Sequence, residues 1–229
     1  MFVRRSVIVF ALTLSVARCA DQPTAVQHSP STPQFLKWAA RATPQFSSTA
    51  IRPIRAGTAA YQTPPLGLDN YVVSFWAVRG ESRSMQINYS STINPGTHPF
   101  LKLTMTDPRF VPGIGELAMG DSVLITVTVD TTKIGVSLEP SGLLFGAPAE
   151  LQVWYDGAAG DLNGDGVANS TDAVIEAKVL GLWYREGQAD SWTNLPARQS
   201  VEEKSFTYAL RHFSEYAVAE ELLDWAVSW

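Results

Sequence analysis

Between residues 161 and 172 the chain sets an oxygen-bearing side chain at loop positions 1, 3, 5, 9 and 12: Asp161, Asn163, Asp165, Asn169 and Asp172. A hard cation takes six to eight oxygen ligands, and a twelve-residue loop delivers them by wrapping once around the ion. In such a wrap Asp161, Asn163 and Asp165 offer side-chain oxygens and Val167 its backbone carbonyl, Asn169 gives an oxygen directly or through water, and Asp172 closes with a carboxylate. Gly166 falls where the backbone must turn sharply, which costs least without a Cβ. An Asn/Asp/Gly surface turn favours the same residue types, but it has no need to respect every one of these positions. The spacing predicts a calcium site, with calcium as the cofactor.

Other chemistry has little to draw on. The chain holds three histidines, His28, His98 and His212, and no serine sits in a G-x-S-x-G turn. Neither a glycine-rich phosphate loop nor a paired-histidine metal motif is present, and Glu202-Glu203 reads as a solvated turn. The chain is therefore expected not to be an enzyme. Exposed aromatic faces stack on sugars, but Trp76, Trp154 and Trp183 fall inside predicted strands, where core packing is the simpler expectation.

The elements that must position the loop follow from the rest of the chain. With 229 residues, 45% of them hydrophobic, one sizeable core or two small ones can be buried. Seventeen basic residues against 22 acidic ones give a net charge of −5, and no basic cluster follows the first few residues. That removes the electrostatic footprint of a nucleic-acid partner.

The segment Met1-Phe2-Val3-Arg4-Arg5 followed by the apolar run Val7 to Ala17 has the order of an export signal, and eleven residues are too few to span a bilayer. The single cysteine, Cys19, lies directly behind that run, where a bacterial lipoprotein carries its acylated cysteine; Arg18 stands where a small residue is usual. Ordinary cleavage after Ala17 is the competing reading. The expectation is a lipoprotein-type signal over 1–19, a membrane anchor at Cys19, and a place in the bacterial cell envelope. One thiol also excludes an internal disulfide framework.

Residues 20–65, rich in Pro, Ser and Thr, read as a flexible tether reaching roughly 35 to 40 Å. Within it Phe35-Leu36-Lys37-Trp38-Ala39-Ala40 is an apolar patch expected to pack back onto the domain. From residue 66 to 229 short β-rich runs alternate with turn residues: 71–78, 84–89, 100–105, 122–130, 136–140, 150–155, 179–185, 205–210 and 216–220. In Val123-Leu124-Ile125-Thr126-Val127-Thr128-Val129 the odd-numbered residues are all apolar, as on a strand with one face buried. These runs predict an all-β sandwich, with the calcium loop inserted at about 157–178 and a short helix over Glu220 to Trp229.

Two resemblances attach to these residues. Asp161, Asn163, Asp165, Gly166, Asn169 and Asp172 match the repeat of dockerin modules, which resembles an EF-hand loop but closes with Asp; dockerins carry two repeats that form a cohesin-binding face, and one is found here. Pro140-Ser141-Gly142-Leu143-Leu144-Phe145, the run Ala149 to Tyr155, Leu182-Trp183-Tyr184-Arg185 with Trp192 and Leu195, and His212 to Val218 resemble the ZU5 domain and its bacterial lipoprotein relatives. The ZU5 likeness spans roughly residues 68 to 220 and implies an immunoglobulin-like β-sandwich used as an interaction module, with an unknown protein or glycan as partner. Docking to a polysaccharide or a cohesin is the alternative. His212-Phe213-Ser214 also resembles the site at which some ZU5-containing proteins cut themselves, implying Ser214 as nucleophile and His212 as base for cleavage between Phe213 and Ser214.

Overall fold

The computed structural model describes residues 33–39, 45–51, 66–67, 71–93 and 95–221, with side chains for all except 49–51 and 66–67. Its strands are β1 (Gln34–Phe35), β2 (Gln45–Ile51), β3 (Leu66–Gly67), β4 (Val72–Val78), β5 (Arg83–Ser90), β6 (His98–Met105), β7 (Pro108–Val111), β8 (Gly115–Glu116), β9 (Ser122–Val129), β10 (Gly135–Glu139), β11 (Leu144–Trp154), β12 (Leu180–Arg185), β13 (Thr193–Leu195), β14 (Arg198–Ser200), β15 (Ser205–His212) and β16 (Glu215–Glu220). A single turn of 3-10 helix, Asp156–Ala158, and one α-helix, α1 (Ser170–Lys178), lie between β11 and β12. No helix among the described residues is long and apolar enough to cross a membrane.

The strands form two antiparallel sheets, and the chain is an all-β sandwich. One sheet runs β13-β12-β16-β10-β9-β4 with β1 on β16, and the other β14-β15-β11-β6-β5-β2-β3 with the β7-β8 hairpin on β11. The core follows from period-two alternation: Val123, Ile125, Val127 and Val129 of β9 face Leu101, Leu103, Leu151 and Val153 of the opposite sheet within one buried cluster. Fully burying each such aliphatic side chain contributes about 1.5–3 kcal/mol.

The tether expected over 20–65 does not extend that far. Residues 33–39 and 45–51 belong to the sandwich, and the physical reason is backbone pairing. Strand β10 pairs with residues 215–217 of β16 and then ends. Continuing along that same side, β1 pairs Gln34 with Glu220 and Phe35 with Ala219, while the Leu36 amide donates to the Val218 carbonyl at 2.9 Å. Without this strap the last residues of β16 would leave backbone groups unpaired at a sheet interior. Leu36 and Trp38 are buried while Lys37 points out, and Trp38 sits among Phe46, Tyr89 and Phe100 with ring centroids 5.0 to 5.6 Å apart. Its indole N–H donates to the Asp130 carbonyl at 3.0 Å. On the other sheet β2 covers the edge of β5 over seven residue pairs.

Three further expectations are revised. The strand expected over 179–185 starts at Leu180, directly behind α1. Trp76, expected in the core, is 55% exposed, because it shares strand parity with exposed Ser74 rather than with buried Ala77. Glu220 ends β16 instead of opening a helix; residues 222–229, which hold the rest of that expected helix, lie outside the described residues, as do the signal segment, Cys19 and His28.

Candidate functional site

The oxygen-rich loop lies between the 3-10 turn and α1, and its side chains fold back on its own backbone. Asp161 accepts the Gly164 amide on one oxygen at 2.8 Å and the Gly166 amide on the other at 2.9 Å. The Asn163 carbonyl oxygen accepts the Asp165 amide at 2.9 Å, and Asp165 accepts the Val167 amide at 2.8 Å. Gly164 and Gly166 have φ of +75° and +91°, the left-handed conformation that glycine adopts at least cost, and this winds the loop tightly enough for those bonds. A carboxylate oxygen holding one amide hydrogen keeps a second lone-pair direction for another partner. Positions 1, 3 and 5 are thus fixed in space without being used up.

Positions 9 and 12 are occupied differently. Asn169 caps α1: its side-chain oxygen accepts the Thr171 amide at 2.7 Å, and its side-chain nitrogen donates to the Val167 carbonyl at 3.0 Å. Asp172 completes the capping box by accepting the Asn169 amide at 2.8 Å, and its other oxygen takes the Leu162 and Asn163 amides at 2.7 and 3.2 Å. Asp172 is 3% exposed. Burial alone would raise its carboxyl, but the amides of Asn169, Leu162 and Asn163 outweigh that and hold it below the usual carboxylate range. The charge is felt across the sheet end, where Glu220 is pushed up first by burial and then by Asp172.

All these donors are oxygens, the ligand type that suits calcium. No three carboxylate, imidazole or thiol groups converge on one point among the described residues. An ion here would therefore draw on the Asn163 carboxamide and the Val167 carbonyl as well as on Asp161 and Asp165. The loop is anchored on three sides. Leu162 and Ile175 are buried in the core; the Gln34 side chain of β1 donates to the Asn163 carbonyl at 3.1 Å; and Glu176 of α1 accepts Lys204 at 2.7 and 2.8 Å and the Tyr155 hydroxyl at 2.8 Å. Tyr155 itself is pushed up, by burial first. A cavity of about 170 Å³ lies beneath, lined in part by Leu162, Asn169, Asp172 and Glu176. Gly157, where the insertion begins, is flat against Trp38: a Cβ there would lie 2.4 Å from the indole ring. Gln34 and Trp38 escape a motif reading because they come from distant sequence, with only the Leu36/Trp38 alternation to hint at them; Glu176 lies four residues beyond Asp172 in α1, but its partners Lys204 and Tyr155 are remote.

In the tripeptide His212-Phe213-Ser214 the hydroxyl and the imidazole are engaged with the 185–186 segment rather than with each other. The Ser214 hydroxyl donates to the Arg185 carbonyl at 2.5 Å and lies 3.4 Å from Glu186, while the His212 imidazole faces Glu186 at 3.4 Å. Phe213 is fully buried, its carbonyl accepts the Gly142 amide at 3.0 Å, and neither it nor Ser214 has a positive φ. Of the strand tryptophans only Trp183 is buried, donating to the Ala219 carbonyl at 3.2 Å; Trp154 is half-buried on the outer face of β11. No family model, curated protein or solved structure matches the chain.

Proposed function

We propose that the chain is an exported, lipid-anchored β-sandwich that works as a non-catalytic binding module, with one calcium ion holding the 157–178 insertion rigid. One observation carries this reading: the oxygens at positions 1, 3 and 5 are each fixed by a backbone amide of the same loop, in the order Gly164, Gly166, Asp165 and Val167. Preorganised oxygens lower the cost of gathering ligands around an ion. When bound, the ion supplies positive charge that offsets the repulsion among Asp161, Asp165 and Asp172. Asp161, Asn163 and Asp165 would hold it through side chains and Val167 through its carbonyl; Asn169 and Asp172 keep the α1 cap that aims the loop.

The likeness of β11, β12 and β15–β16 to ZU5 sequences supports an interaction role, and the hydrogen bond from Ser214 to Arg185 favours that role over self-cleavage. Export brings the loop to compartments where calcium reaches millimolar levels, so even a weak site fills. Equilibrium dialysis with radioactive calcium tests the reading: one ion per chain is expected for the wild type and none for Asp165→Ala. Equal uptake by both proteins would remove the site from this loop.

A further inference from the structure

Strand β11 alternates strictly past the bulge near Ala149. Leu151 and Val153 go inward, while Glu150, Gln152 and Trp154 share the outer face of the sheet. That face is grooved. One cleft of about 540 Å³ has Trp154, His98, Asp156, Glu202 and Glu203 among its walls, and a second of about 470 Å³ has Glu150, Arg198, Gln199 and Thr207; Gln152 and Glu203 line both. Together they make one open polar groove across β11, β15 and the turn after β14.

Its parts are held in place. Gln152 donates to Glu203 and to the Ser205 hydroxyl, both at 3.3 Å, and Asp156 accepts the Tyr89 hydroxyl at 3.1 Å. Lys204, in left-handed conformation at φ +53°, turns its amine away onto Glu176 and so spends the nearest positive charge. The groove near Trp154 is lined by that indole, a carboxamide and three carboxylates, Asp156, Glu202 and Glu203, with His98, Pro99 and the Lys204 side chain beside them.

We infer that this groove binds a neutral, unbranched oligosaccharide, with one sugar ring stacked on Trp154 and its hydroxyls donating to Glu203, to Asp156 and to the side-chain carbonyl oxygen of Gln152, whose amide hydrogens are held by Glu203 and Ser205. Two alternative classes meet an obstacle in the same residues, and a cationic peptide is left to the test. Anionic ligands, phosphates and acidic glycans included, face three carboxylates. An extended peptide binds a sheet by adding to its edge, but β11 is flanked by β15 and β6, which occupy its backbone groups. What remains for recognition is side-chain amides, carboxylates and hydroxyls beside one aromatic face, in an open trough that suits the middle of a chain more than its end. The inference rests on the reading of the chain as a non-catalytic binding module and is independent of its calcium site.

Titration of the full chain with neutral hexasaccharides of glucose, xylose and N-acetylglucosamine, followed by tryptophan fluorescence and calorimetry, tests it. At least one sugar is expected to bind with Kd between about 10 μM and 1 mM, corresponding to about −7 to −4 kcal/mol. Trp154→Ala should weaken it at least tenfold and Gln152→Ala three- to tenfold, with the Gln152→Ala melting temperature unchanged. Saturation by millimolar concentrations of none of the sugars, full affinity in Gln152→Ala, or tighter binding of an oligolysine peptide than of any sugar would overturn the proposal. Repeating the titration with a calcium chelator separates the two claims: sugar affinity should persist there even if the loop takes no ion.

Discussion

The carboxylate of Asp172 accepts amide hydrogens from both ends of the loop, so it ties the start of the insertion to the first turn of α1. Asp172→Asn keeps the shape but sets an NH2 group against at least one of those amides, and it is expected to cost about 1–3 kcal/mol of stability in urea denaturation under chelating conditions. The same bonds give stability a pH dependence of known sign. Asp172 and Asp130 both have burial working to raise them and hydrogen bonds, from backbone amides and from Thr132 and Lys133 respectively, prevailing to lower them. Their contribution is full above the unfolded aspartate value of about 3.9 and is lost as pH falls through the lower folded values. Glu220, raised by burial and by Asp172, works the other way: its contribution is full below the ordinary glutamate value and fades as pH rises through the folded one. The acid limb of the wild-type curve should therefore flatten in Asp172→Asn. An unchanged limb would mean that this carboxylate is not held as described. The loop ligands were legible in the sequence because their spacing is local; the conversion of Asp172 into an internal amide acceptor was not, since it depends on where α1 begins.

At the scale of elements, the strap of residues 33–39 shows where a sequence reading stops. Proline, serine and threonine dominate its surroundings, so composition assigns it to a tether; the apolar patch at 35–40 is expected to pack back onto the domain, but not to supply the hydrogen bonds that β10 leaves unmade on β16. Such long-range pairing leaves no local signal beyond a buried-exposed-buried alternation at Leu36, Lys37 and Trp38. Trp192 reinforces the strap from outside, packing on Phe35 at 4.7 Å with the Arg185 guanidinium 4.8 Å over its ring. Trp38→Ala is expected to destabilise the domain by about 3–5 kcal/mol in urea denaturation. A loss below about 1 kcal/mol would return the strap to the tether. Strand parity was the most legible feature: in β9 it gave the core directly, whereas in β11 Trp154, expected in the core as an indole inside a strand, follows the parity of Glu150 and Gln152 onto the outer face.

For the whole molecule, two sheets closed by the N-terminal strap and pinned at one end by the α1 insertion make a rigid platform, on which the loop and the outer groove of β11 are separate surfaces. Anchoring to a membrane belongs to this scale too, and it is open to metabolic labelling with palmitate: incorporation in the wild type and none in Cys19→Ser is the expected outcome, while an unlabelled wild type would point to simple cleavage after Ala17. Calcium binding should be felt across the fold, because the loop touches β1 through Gln34, the core through Leu162 and the β14–β15 turn through Glu176. With calcium at a hundred times the dissociation constant, occupancy adds about 2.7 kcal/mol, which for a domain of this size raises the melting temperature by roughly 5–11 °C. The most direct measurement is thermal denaturation of wild type and Asp165→Ala in millimolar calcium and again in a calcium chelator. The wild type should melt several degrees higher with calcium and the variant at one temperature in both; identical wild-type curves in the two buffers would contradict the calcium site.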